Sequence, residues 1–162
     1  TFINSVILDV SGSTITAGTI LVVNAVSSSV PTITMLTSTK AICAYRTSPT
    51  SFLNSVILDV SGSTITAGTI LVVNAVSSSV PTITMLTSTK AICAYQNNST
   101  TFLESVILNV SGSTITAGTV LVVNAVNSTA STITMLTSTK AICAYKNNST
   151  TFLNSVILDV LT

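Results

Sequence analysis

Histidine and tryptophan are absent from this 162-residue chain, and only 6% of it is charged, against roughly 25% in an average globular protein. Without histidine, the commonest general base and metal ligand is missing. Five Lys+Arg against four Asp+Glu leave a net charge of +1, too little to hold a polyanion, so nucleic acid binding is not expected. Long apolar runs are lacking as well. The most apolar stretch, Thr19–Val26, is interrupted by Asn24 and falls far short of the roughly 20 residues a spanning helix needs, so no transmembrane segment is expected. No signal peptide pattern is visible and Thr1 is not an initiator Met, which reads as a processed product or an excerpt of a longer chain.

Hydrophobic residues, at 47%, are plentiful. Disorder needs low hydrophobicity and high net charge, and this chain has neither. It has little polar surface with which to stand alone in water, and must bury itself in its own core or against copies of itself.

The dominant feature is an internal repeat. Residues 1–50, 51–100 and 101–150 are three copies of one 50-residue unit, and residues 151–162 begin a fourth. The first 45 positions of the first two copies differ only at Thr1/Ser51 and Ile3/Leu53. The third copy changes chiefly at Asn127–Ser131. Recent duplication and repeated packing of equivalent positions both account for such identity.

Each copy reads as β structure. Phe2–Val10 is β-branched with apolar groups on both faces, which predicts a strand buried on both sides. Ser11-Gly12-Ser13 reads as a tight reversal, and Ser13–Val26 as a second strand bending or bulging at Ala17-Gly18. Ser27–Pro31 reads as a loop and Thr32–Tyr45 as a third strand, whose second half has a helical turn as its alternative. Arg46–Thr50 and its counterparts join the units. Ten strands follow, three per copy plus Phe152–Val160.

Fifty residues with three two-faced strands do not close a core, so neighbouring units must bury one another. The expected fold is all-β: tandem three-strand repeats stacked as β-arches or solenoid-like layered sheets with open edges, equivalent strands parallel and in register; an antiparallel meander is the alternative. Stacking would align Lys40, Lys90 and Lys140, a repulsive ladder unless solvated or paired with Asp9, Asp59 and Asp159, a series in which Asn109 is neutral.

Cys43, Cys93 and Cys143 recur at one repeat position. Stacked rungs would bring them within disulfide range, with one thiol left to join a neighbouring chain; the alternative is three small buried apolar residues. One cysteine per unit and no histidine give no metal cluster. Asn97, Asn98, Asn109, Asn127, Asn147 and Asn148 each begin an N-glycosylation acceptor triplet, and most fall in predicted loops, which favours a secreted or cell-surface location.

Catalytic chemistry is hard to assemble. The serines and threonines have no histidine beside them, and Asp9, Asp59, Glu104 and Asp159 recur once per unit instead of converging on a cleft. No enzyme activity, cofactor or small-molecule substrate is expected. Copies of the chain itself are the expected partner, in an extracellular or cell-surface fibre, tube or sheath grown by edge-strand addition and face packing. Two alternatives remain. Thr14-Ile-Thr16, Thr32-Ile-Thr34 and Thr37-Ser-Thr39 resemble the threonine ranks of insect antifreeze β-solenoids, which would imply ice binding. A cell-surface adhesin repeat would use Tyr45, Arg46 and their counterparts. A ten-stranded membrane barrel lacks its aromatic girdles, since Phe2 and Tyr45 flank the same inter-unit loop.

Tandem Ser/Thr/Val/Ile-rich, charge-poor β repeats with one cysteine each resemble functional-amyloid-like envelope proteins, and among these the tubular sheath proteins of filamentous methanogenic archaea. The resemblance covers the whole chain. It implies a tube or hoop of continuous β-sheet around cells, resistant to denaturant and protease, and it assigns no functional residues.

Overall fold

A computed structural model describes residues 1–160, leaving aside the side chains of residues 130 and 131. The chain is all-β and its sheets are open. Sixteen strands follow in order: β1 (Ile3–Ser5), β2 (Leu8–Ser11), β3 (Thr14–Ala17), β4 (Leu21–Asn24), β5 (Ser28–Thr37), β6 (Lys40–Thr47), β7 (Phe52–Ser61), β8 (Thr64–Ala67), β9 (Leu71–Thr87), β10 (Lys90–Asn97), β11 (Leu103–Ser111), β12 (Thr114–Ala117), β13 (Leu121–Asn124), β14 (Ser128–Thr137), β15 (Lys140–Asn147) and β16 (Leu153–Asp159).

The reversal at Ser11-Gly12-Ser13 is a two-residue hairpin. Gly12 takes φ 59°, and Gly62 and Gly112 do the same in the later copies, a backbone region that costs a residue with a Cβ about 1–2 kcal/mol. The returning strand is interrupted after Ala17, where the sequence predicts a bend, giving β3 and β4; the Gly18 N–H still donates to the Ile7 carbonyl at 2.9 Å across the gap. The third strand of each copy is a correction. Thr32–Tyr45 is not one strand but two, because the chain reverses at Ser38-Thr39 and β6 returns along β5. That turn contains no Gly, Asn or Pro, the residues by which two-residue turns are recognised.

Ser27–Pro31 is a second correction. β5 begins at Ser28, and Val30-Pro31 forms an irregularity opposite Tyr45, where the register slips between Ser29 and Thr32. Val30 and Val80 adopt φ 53° and 48°, unusual for β-branched residues, and the proline that follows has no N–H to leave unpaired. The turn chemistry was therefore real, but it marks a bulge within a strand.

Pairing is antiparallel between all paired strands. Among the described residues, equivalent strands of successive repeats do not hydrogen-bond to one another, and the expected parallel, in-register ladder is replaced by antiparallel neighbours of unlike sequence. The largest sheet runs β12-β11-β10-β9-β7-β6-β5, with β13 on β11 and β8 on β7; β14-β15-β16 form another, and β1-β4 and β2-β3 form two small ones. Strand β9 links two regions of the large sheet: residues 71–77 pair with β7 and residues 78–87 with β10.

Burial follows the strand period of two. Along β6, Ala41, Cys43 and Tyr45 enter a core with Ile3, Val23, Val56 and Leu58. Ile42 and Ala44 enter a different one, with Leu53, Ile57, Cys93, Tyr95 and Val106. Strand β10 repeats this: Ala91, Cys93 and Tyr95 stay in that second core while Ile92 and Ala94 join a third, with Cys143 and Leu158. Both faces of the central strands are thus apolar because both are covered.

Candidate assembly interface

The most specific contacts in the molecule lie between repeats and begin at the Ser-Gly-Ser hairpin. Ser63, in the turn between β7 and β8, donates its hydroxyl to Asp9 Oδ2 at 3.3 Å. One repeat later Ser113, between β11 and β12, donates to Asp59 Oδ2 at 2.5 Å. Each hairpin therefore seats on the repeat before it. Close approach at the seat requires glycine: a Cβ on Gly18 would lie 2.8 Å from the Ser63 carbonyl oxygen, and one on Gly68 would press still harder on that of Ser113.

Charge is arranged around the same point. Lys40 lies opposite Asp59 in the β6–β7 register and forms an ion pair with it. Lys140 pairs with Asp159 at 2.7 Å, while Lys90 faces the neutral Asn109. The lysine series is thus matched to the aspartate series rather than stacked on itself. The hydrogen bond from Lys40 and that from Ser113 hold the Asp59 carboxyl below its ordinary range.

Buried polar groups tie the cores. The Asn24 amide donates to the Tyr45 hydroxyl at 3.0 Å, and Asn74 to Tyr95 at 2.8 Å. In the third repeat Asn124 donates to Ser128 instead, at 3.1 Å. Burial raises the Tyr95 hydroxyl pKa, the Asn74 bond opposes the rise, and Glu104 adds to it. Glu104 lies opposite Tyr95 in the register, is buried, and accepts a hydrogen bond from Asn97 Nδ2 at 2.9 Å.

The cysteines are free thiols, each in a different core: Cys43 with Ile3, Cys93 with Leu53, Cys143 with Leu103. No pair is bridged in this structure. Burial pushes Cys43 and Cys93 up to about 12 and Cys143 to about 11, so little thiolate forms at neutral pH. The acceptor asparagines divide by exposure. Asn98 and Asn127 are exposed, and Asn109, Asn147 and Asn148 half-exposed. Asn97 is buried; besides bonding Glu104, its side-chain oxygen accepts from the Ser99 and Thr100 N–H groups. It anchors the turn into the next repeat, and its amide nitrogen is not free to carry a glycan in this fold.

Among the described residues no group of three or more His, Cys, Asp or Glu converges to hold a metal, and no helix is long and apolar enough to cross a membrane. Sequence reasoning marks Ala17-Gly18 as a bend and Ser11-Gly12-Ser13 as a turn, but not the contacts by which Ser63 and Ser113 reach Asp9, Gly18, Asp59 and Gly68 of the preceding repeat. The recurrent Ser-Gly-Ser turn was legible, but its receptor lies in the preceding copy, at a spacing no local pattern encodes. No known protein family, curated protein or solved structure matches the chain.

Proposed function

We infer that this is a structural protein whose activity is assembly with copies of itself into an extracellular or cell-surface β-sheet fibre, tube or sheath. The observation that carries this reading is the division of alternate residues of β6 and β10 between different cores: each repeat buries apolar surface on two faces, so repeats add to one another as layers without a natural last member. Unsatisfied apolar surface supports it. Leu8, Val10 and Ile15 of β2 and β3 are 59, 68 and 64% exposed, a contiguous patch of the kind that marks association surfaces. The exposed Asn98 and Asn127 acceptor sites suit a location outside the cell.

Electron microscopy and fibre diffraction of the concentrated protein test the reading. Assemblies with reflections near 4.7–4.8 and about 10 Å are expected, and monodisperse monomers without cross-β spacing at every concentration would overturn it. A second reading, ice binding, is supported by exposed threonines on three hairpins, Thr14 and Thr16, Thr64 and Thr66, Thr114 and Thr116; a thermal hysteresis assay measures it directly.

A further inference from the structure

We propose that two copies of this chain pair side by side through one sheet edge, the run 64–75 and its counterparts 14–25 and 114–125, each run lying antiparallel to the same run of the other copy. The contact rests on the self-assembly reading and gives it a lateral surface.

The edge is complete in the second repeat, which has a repeat on either side. There β8 and residues 71–77 of β9 run one after the other along β7, with the Gly68 N–H donating to the Ile57 carbonyl at 2.8 Å between them. Among the described residues no strand pairs with their far side. β3 and β4 follow β2 and β1 in the same way, and β12 and β13 follow β11. The run stops at Val76, whose N–H donates to Asn74 Oδ1 at 3.2 Å and whose carbonyl accepts from the Ser78 hydroxyl at 3.1 Å. Beside the edge, Val22, Val72 and Val122 are 50, 50 and 47% exposed. Burial that depends on a neighbouring repeat varies from copy to copy, as Leu8 at 59% and Leu58 at 2% show. The valine row does not vary, so its exposure belongs to the flank of every repeat.

What covers this edge follows from how edges are guarded. Exposed edges are ordinarily blunted by charge, proline or a bulge. Residues 14–25, 64–75 and 114–125 contain no charged residue and no proline. The opposite edge of the sheets, formed by β5, residues 78–87 of β9 and β14, carries the Val30-Pro31 and Val80-Pro81 bulges; the third copy has Ser131 in the proline's place. A guarded edge offers an interrupted ladder, so the fitting partner of the open edge is another open edge. A two-fold axis along the direction in which the repeats stack provides it. Each run then meets its own counterpart antiparallel, repeat for repeat, and like apolar rows face each other. At ~3.3 Å per residue and ~10 Å per layer the three runs span a strip of roughly 40 by 30 Å, which exceeds the ~800 Å² per partner of a standard stable complex. Such an isologous contact closes on itself. Lateral growth ends at two stacks with the proline-bearing edges outermost, and further growth runs along the stack.

Charge complementation followed by sedimentation velocity tests this. The wild-type 162-residue chain is expected to associate into dimers or paired stacks. Val22→Lys, Val72→Lys and Val122→Lys combined, and the same three positions changed to Glu, should each raise the concentration needed for association at least tenfold, with urea midpoints near the wild-type value because the sites are exposed. Mixing the two variants in equal amounts should restore association, since like-with-like pairing sets each lysine row beside a glutamate row. The single exchanges Val72→Lys and Val72→Glu, which burden the fold least, should behave the same way with a smaller shift. If the wild type assembles and the charged variants assemble equally well alone, this edge is not the interface and self-assembly stands by another surface. If the variants lose association and their mixtures do not regain it, the two-fold pairing is wrong. If the wild type stays monomeric at every concentration, both readings fall.

Discussion

Residues 2–26 and 52–76 differ at one position, Ile3 against Leu53, yet they are built differently. In the second stretch β7 is one strand of ten residues, flanked by β6 on one edge and by β8 and β9 on the other. In the first, the same sequence breaks into β1 and β2 with Val6 and Ile7 between them, and no described strand lies along the edge that β6 covers in the second. Leu58 is 2% exposed and Leu8 59%; Val56 is fully buried and Val6 38% exposed. The returning strand differs too: β9 runs unbroken from Leu71 to Thr87, where β4 and β5 are separate. The lesson is that strand length and burial here belong to the neighbours. Residues paired along the edge that β6 covers stay extended as one strand, as in β7, β11 and β16, and the same residues without that partner break into β1 and β2.

Substitutions at equivalent positions turn this comparison into measurements. Leu58→Ala should destabilise the chain by about 2–5 kcal/mol through lost burial and a residual cavity, and Leu8→Ala in the isolated chain by less than about 0.5 kcal/mol. Equal losses in urea unfolding would show that the two copies share one environment.

Asn74→Ala removes the donor to the buried Tyr95 hydroxyl and should cost about 1–3 kcal/mol. Asn124→Ala, whose partner is Ser128, should cost distinctly less by the same titration.

At the hairpin seats, Gly68→Ala forces a Cβ against the Ser113 carbonyl and should cost about 1–3 kcal/mol by overpacking, while Gly118→Ala is neutral in the monomer. Differential scanning calorimetry at a concentration below association separates them.

The smallest effect concerns charge. Because its folded pKa is depressed, Asp59 contributes stability that is fully present above its unfolded value of about 4 and is lost as pH falls through the lower folded value. Urea midpoints followed from pH 6 to pH 2 should therefore fall more steeply for the wild type than for Asp59→Asn. Asn109→Asp gives Lys90 the partner that Lys40 has, and should add no more than about 1 kcal/mol at low salt; a gain that survives high salt would point to a drier site than Lys40–Asp59.

Much of the fold is legible in the residues, but unevenly. The β-branched runs, the glycine hairpins at Gly12, Gly62 and Gly112 and the interruption at Ala17-Gly18 follow from local chemistry. The Ser38-Thr39 reversal does not, because serine and threonine are as common in strands as in turns of this sequence. Val30-Pro31 carries a genuine signal that local reasoning reads as a loop, since a bulge and a loop use the same residues and differ only in whether a partner strand runs alongside. Of the interface, the lysine–aspartate pairing was foreseeable from charge, since stacking lysines on lysines is costly. The Ser63–Asp9 and Ser113–Asp59 contacts were not, because they join residues 54 apart through a three-dimensional offset between repeats.

By itself the sequence determined that the chain is β, that it repeats every 50 residues, that its strands are apolar on both faces and that its glycine turns recur at Gly12, Gly62 and Gly112. These are consequences of steric preference and side-chain polarity, which act over a few residues. Only the tertiary structure decided that the pairing is antiparallel between unlike strands, which face of each strand enters which core, and whether a given leucine is dry or wet. The proof is internal to the molecule: Leu8 and Leu58 sit in the same local sequence, and burial is a property of what packs against a side chain rather than of the side chain itself.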